Sequence, residues 1–226
     1  MIPVLAIPVL NRPDLLEACL RSIDEPVERL VVIDNSGSGE MGDRASETRP
    51  DALIVDPPAN LGVAASWNLA IKATADAPWW CIVNADMAFA PGSLARLAGA
   101  MTDAPEVRCL YEFGAFGITA AAVETVGLFD ENFHPIYCED TDYRYRCGLA
   151  GVPVIDMPDD STHVGSVSYV GNPRADNGRT YPSNRRYYAE KWGGDIGRET
   201  FTSPFGAGGS VADWTLRLSR VRDNRW

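Results

Sequence analysis

Four short apolar runs, at residues 3–8, 30–34, 52–56 and 79–84, are separated by stretches with helical character. Each run is rich in Val and Ile and has the length of a strand buried on both faces. Between the first two, Pro13-Asp14-Leu15-Leu16-Glu17-Ala18-Cys19-Leu20 carries apolar residues at helical spacing, with a proline in its first turn. Residues 64–75 are alanine-rich and free of breakers, and residues 91–101 set Leu94, Leu97 and Ala98 on one helical face. This alternation permits few topologies. It predicts an α/β fold, a mostly parallel central sheet with helices on both faces.

In such sheets ligands bind beyond the carboxyl ends of the strands. The residues to read are therefore Asn11-Arg12, Asp34-Asn35-Ser36, Asn60-Leu61-Gly62 and Asn84-Ala85-Asp86. After about residue 110 the pattern changes. Helices are expected at 119–126 and 140–150, and beyond Pro158 the Gly, Asn, Pro and Ser content predicts long loops. The 226 residues read as a single domain, with a ligand-binding half at about 1–110 and a half at about 111–226 that completes the site.

Composition narrows the function classes. With 46% apolar residues the chain can bury a sizeable core. A net charge of −11 gives no general attraction to nucleic acid or anionic lipid, although Arg185-Arg186 and the group Arg217, Arg220, Arg222 and Arg225 leave local basic patches open. No apolar run approaches the roughly 20 residues that span a bilayer, and Met1–Pro8 has no basic leader. A cytoplasmic location is expected. Five cysteines without a C-x-x-C pair predict neither a disulfide framework nor a zinc knuckle.

Three constellations carry chemistry. Asn84-Ala85-Asp86 follows a buried strand, where a carboxylate can give a hard oxygen ligand to a divalent cation; the same residue types also favour plain turns. Glu139-Asp140-Thr141-Asp142 puts three carboxylates at a helix start. They can match the helix dipole, or one can act as a general base whose pKa its neighbours raise. His163, in Ser161-Thr162-His163-Val164-Gly165, is one of two histidines, and its polar setting suits a metal ligand better than core packing.

In this order the motifs resemble glycosyltransferase family 2, inverting transferases of the GT-A fold. The likeness runs through Ala6-Ile7-Pro8-Val9-Leu10-Asn11-Arg12, Ile33-Asp34-Asn35-Ser36-Gly37 and Asn60-Leu61-Gly62-Val63-Ala64-Ala65-Ser66-Trp67-Asn68. It continues through Asn84-Ala85-Asp86 at the D-x-D position, Phe116-Gly117-Ile118, Val126–Phe133 and Cys138-Glu139-Asp140-Thr141-Asp142-Tyr143-Arg144-Tyr145-Arg146. His163 with Gly165 and Ser168 is similar to the late histidine loop of rhamnosyltransferase-like members.

The resemblance implies roles. Pro8, Val9 and Asn11 would line the nucleotide, Asp34 would hydrogen-bond the base, and Gly62 would allow close backbone approach. Asn68, Asn84 and Ala85 would complete the nucleotide-sugar site. Asp86 and His163 would hold Mn²⁺ or Mg²⁺. Asp140 would be the general base, Glu139 would orient acceptor or sugar, and Asp142 and Arg146 would brace the helix. The implied donor is a UDP-, dTDP- or GDP-linked sugar, and the acceptor hydroxyl belongs to a saccharide, a small molecule or a protein. Asn84 departs from D-x-D and removes one negative charge.

Three rivals are weaker. Gly37-Ser38-Gly39-Glu40-Met41-Gly42 matches a dinucleotide fingerprint, but residues 40–49 are expected to lack the apolar face of a crossover helix. A nucleotidyltransferase would want a Gly-rich basic loop where Asn11-Arg12-Pro13-Asp14 stands. A non-catalytic nucleotide-sugar-binding relic is suggested by Asn84 alone.

Overall fold

The computed structural model describes residues 1–164 and 177–211, without the side chains of 177–179. Gly165, Ser168 and the arginines from Arg217 to Arg225 lie outside the described residues. The four apolar runs form β1 (Ile2–Val9), β2 (Val27–Asp34), β3 (Leu53–Val55) and β4 (Trp79–Val83). Helices α1 (Pro13–Ser22), α2 (Glu40–Thr48) and α3 (Val63–Ala73) connect them. After β4 come a two-residue strand β5 (Met87–Ala88), helix α4 (Ser93–Ala100), strands β6 (Val107–Tyr111) and β7 (Ala115–Thr119), and helix α5 (Ala120–Val126). The rest comprises α6 (Glu139–Ala150), β8 (Val154–Asp156), β9 (Thr162–His163) and α7 (Asn177–Trp192).

Seven strands form one sheet in the order β3-β2-β1-β4-β7-β6-β8. Only β7 runs against the rest, pairing antiparallel with both β4 and β6. This is the mostly parallel α/β sheet that the alternation predicts. Along β1 the side chains alternate between two cores, as strand geometry requires. Val4 and Ala6 join Trp67, Trp80 and Phe116 on the α3, α5 and α6 side, while Leu5 and Ile7 join Leu16, Leu94 and Leu97 on the α1 and α4 side.

Two expectations are corrected. Residues 40–48 are a helix despite their weak apolar face. Met41, Gly42 and Ala45 form its buried side, and a Cβ at Gly42 would stand 2.7 Å from Ile54 Cγ2. Small residues here let α2 lie close to the sheet, so close packing replaces bulk. The loops expected beyond Pro158 include the 16-residue α7, with Pro182 inside it. Tyr188 and Trp192 are fully buried at its far end, and tertiary burial outweighs the poor helical propensity of its first turns. All five cysteines are free and buried.

Candidate functional site

The carboxyl ends of β1, β2 and β4 open on a cavity of about 510 Å³. Pro8 and Val9 form its floor, and Gly62, Asn84, Ala85 and Asp86 lie along it. Glu139, Asp140 and His163, distant in sequence, line the same space. The fold thus gathers nine of the residues singled out from sequence.

The pairing of β5 with β9 explains the arrival of His163. Met87 faces His163 in that short ladder, and Val164 N donates to Asp86 O at 3.2 Å. Behind it, Asp159 anchors the strand's approach. Its side chain is 1% exposed, and its Oδ1 accepts from Arg96 and from the Ser93 hydroxyl. Ser161 Oγ then accepts from Ala90 N at 2.9 Å. As a result His163 Nε2 lies 3.0 Å from Asp86 Oδ1. The contact lacks hydrogen-bond geometry, and Nε2 is a buried polar atom with no hydrogen-bond partner.

These two residues fit a divalent cation. An imidazole nitrogen without a hydrogen bond is available as a lone-pair donor, and the carboxylate supplies a hard oxygen. Adjacent ligands of an octahedral ion with bonds near 2.1 Å are roughly 3 Å apart, which matches the separation found. No group of three or more His, Cys, Asp or Glu side chains with metal-binding spacing occurs among the described residues. An ion here would take its other ligands from a substrate or water.

Helix α6 delivers the acidic pair. It begins after two consecutive non-glycine residues in the left-handed region, Tyr137 (φ 82°) and Cys138 (φ 72°). Such backbone costs of order 1–3 kcal/mol per residue and persists only where surroundings impose it. Asn184 of α7 imposes part of it by donating to the carbonyls of Ile136 and Tyr137 at 2.8 and 3.1 Å. Within α6, Asp142 accepts from Arg146 Nε at 2.8 Å and from Trp192 Nε1 at 2.9 Å, and it pairs with Lys191 Nζ at 2.6 Å. Lys191 also reaches Asp130 at 2.7 Å. This buried network fixes the helix, which bears out the bracing role of Asp142 and Arg146 and adds Lys191, a residue the sequence did not mark.

The acidic neighbours differ. Glu139 is 5% exposed, and its Oε2 is buried without a hydrogen-bond partner. Burial, and then the adjacent Asp140 carboxylate, push Glu139 well above the usual carboxylate range. Asp140 is less buried, with Oδ1 accepting from Thr141 N at 2.6 Å. One acid favours its neutral form while its neighbour stands at the cavity wall.

Three expected binding residues are placed elsewhere. Asp34 is fully buried, its two oxygens accepting from Ser36 N and Gly42 N at 2.8 and 2.9 Å, so it ties the β2–α2 turn rather than facing the cavity. Asn68 is spent on the backbone of Phe129, donating to its carbonyl and accepting from its amide at 2.9 Å. Asn11 lies one residue past the lining residue Leu10 and is not part of the wall. Gly62 does line the cavity, but its missing side chain serves packing: a Cβ would stand 2.8 Å from Pro135 O.

Sequence reasoning gave no role to other wall residues. Asn35 lines the cavity and holds its rim by donating to Ser66 Oγ and accepting from Leu61 N, both at 2.9 Å. Trp67 also lines it, with Nε1 buried and without a partner. Tyr111, Tyr137, Tyr181 and Ile196 complete the mouth. Asn35 and Trp67 lie inside quoted motifs and were within reach; Tyr181 and Ile196 arrive through α7 and had no signal. Arg185, half of one basic patch that composition left open, is paired with Asp195.

Residues 4–118 match the family model described as Glycosyl transferase family 2. The chain belongs to that family. No protein of curated function matches it in sequence. Among solved structures it resembles S. aureus TarS in complex with UDP, at 13% identity and a TM-score of 0.53, over 69% of this chain and 58% of that one. A nucleotidyl transferase from Methanothermobacter is similar at 14% identity and a TM-score of 0.53, over 69% of this chain and 87% of the other. The inositol-1-phosphate CTP transferase from T. maritima is similar at 13% identity and a TM-score of 0.51, over 71% and 87%. These likenesses establish a shared α/β fold. The chain thus spans just over half of the TarS chain it matches. No helix among the described residues is long and apolar enough to cross a membrane.

Proposed function

We propose that this chain transfers a glycosyl group, with inversion, from a nucleoside-diphosphate sugar to an acceptor hydroxyl. The observation that carries the reading is the convergence of the Asp86–His163 pair and the Glu139–Asp140 pair on one cavity at the sheet's carboxyl edge. Asp86 and His163 would hold Mn²⁺ or Mg²⁺. Such an ion, when bound, neutralises charge on a diphosphate leaving group.

The chain's own residues supply the rest. Asp140 takes the proton from the acceptor hydroxyl as its oxygen bonds to the anomeric carbon. The bond from that carbon to the diphosphate oxygen breaks, and its electron pair leaves with the nucleoside diphosphate. Attack opposite the leaving group inverts the centre in one displacement. Glu139, favouring its neutral form, can donate as well as accept a hydrogen bond and so orient a sugar hydroxyl. Pro8, Val9 and Asn35 line the end of the cavity that suits the nucleotide.

Nucleotidyl transfer, the other chemistry named among the fold's relatives, is less favoured. It would place a triphosphate beside the loop after β1, where Arg12 is already held by Asp14 through two hydrogen bonds of 2.9 and 2.7 Å. The test is a panel of UDP-, dTDP- and GDP-sugars supplied with Mn²⁺ and saccharide acceptors, with product anomers assigned by NMR. An inverted product supports the proposal; a retained one removes the single displacement.

A further inference from the structure

The mouth of the cavity combines two kinds of surface. Three tyrosines stand there, with Tyr111 43% exposed and Tyr181 42% exposed, and Tyr137 packs edge-on against Tyr181 at 5.7 Å between ring centroids. Ile196 adds an apolar side chain that is 41% exposed. Among these lie carboxylates: Glu112 is exposed beside Tyr111, and Glu139 and Asp140 follow Tyr137. Glu139 lines the cavity, and its buried Oε2 has no partner within the protein.

From this juxtaposition we infer that the acceptor is a neutral saccharide, whose ring stacks on Tyr181 while its hydroxyls bond to Glu139 and Asp140. The inference rests on the glycosyl-transfer reading and narrows its acceptor. A sugar ring has an apolar face of C–H groups and an edge of hydroxyls. Aromatic faces interleaved with carboxylates match both. A wholly apolar acceptor would leave the Glu139 oxygen unsatisfied, at the cost that attends any buried orphan polar atom. An anionic acceptor, carboxylated or phosphorylated, would meet the carboxylates of Glu112 and Asp140 as like charges.

The surface is also held in place, which limits the entropy lost on binding. Asn184 fixes the Ile136–Tyr137 backbone, and Asp195, paired with Arg185 of α7, accepts from Ile196 N at 2.9 Å.

The experiment is saturation-transfer NMR on the full chain with nucleoside diphosphate and diamagnetic Mg²⁺. Its ligands are neutral mono- and disaccharides beside their carboxylated and phosphorylated counterparts. The neutral sugars are expected to receive saturation at ring C–H protons, and Tyr181→Ala to weaken their binding about tenfold, in the range of one lost pocket contact. Tyr181→Phe, which keeps the ring, is expected to restore it. Tighter binding of the anionic sugars, or neutral binding indifferent to Tyr181→Ala, would overturn the inference. Thermal stabilisation by the nucleoside diphosphate separates the two levels. If it is present while no neutral saccharide binds, the acceptor inference fails alone; if it is absent for every nucleotide, the transfer reading fails first.

Discussion

His163 Nε2 lies 3.0 Å from Asp86 Oδ1, brought there by a two-strand ladder across 76 residues of chain. The contact lacks hydrogen-bond geometry, and under the proposed function the pair would hold one divalent ion. His163→Ala should therefore weaken Mn²⁺ binding by at least roughly 10-fold, the lower bound for losing even an outer-shell partner. Electron paramagnetic resonance titration of free Mn²⁺ measures this without any turnover. Unchanged affinity in both His163→Ala and Asp86→Ala would remove the pair from the role.

Asp140→Asn keeps the shape of the side chain and its contact with Thr141. The variant should fold, retain the thermal shift given by nucleoside diphosphate, and lose about 10²–10⁴-fold in transfer rate. Near-normal turnover would take the base role from Asp140.

Glu139 carries a stability signature. Its folded pKa is raised above the ordinary value of 4.5, so the native state binds more protons than the unfolded state above that pH. Its contribution is complete below about pH 4.5 and is lost as pH rises toward the folded pKa. Glu139→Gln removes this dependence. The melting temperature of the wild type, relative to the variant, should fall as pH rises from 4.5 to 7 in calorimetric scans; parallel curves would contradict it.

Asp142 joins Arg146, Lys191 and Trp192 in a buried cluster. Asp142→Ala leaves two buried cations without their shared partner and should cost about 3–5 kcal/mol in denaturant unfolding. A loss below 1 kcal/mol would show that Asp130 alone suffices for Lys191 and that Arg146 finds another partner.

The parts legible from sequence were those with local causes. The strand runs announced the sheet because a doubly covered strand must be apolar throughout, as fully buried Trp79–Val83 is. Glu139 and Asp140, which line the cavity, were legible as neighbours in a cluster of three acids within four residues at a helix start. Asp34 misled because its position after β2 suits a ligand contact, whereas two nearby amides claim its oxygens. Asn68 misled in the same way, through Phe129, a partner 61 residues distant. Helix α7 was hidden by Asn177, Gly178 and Pro182 at its start, and with it went Lys191, Asn184 and Tyr181. Those residues acquire meaning only through long-range packing that no local pattern reports.

The most direct measurement is release of nucleoside diphosphate from the donor panel with a saccharide mixture, with and without Mn²⁺, in wild type and Asp86→Ala. The account predicts release from at least one donor that requires Mn²⁺ and is lost in Asp86→Ala. No release from any donor, together with pyrophosphate release from a nucleoside triphosphate and a sugar phosphate, would contradict it.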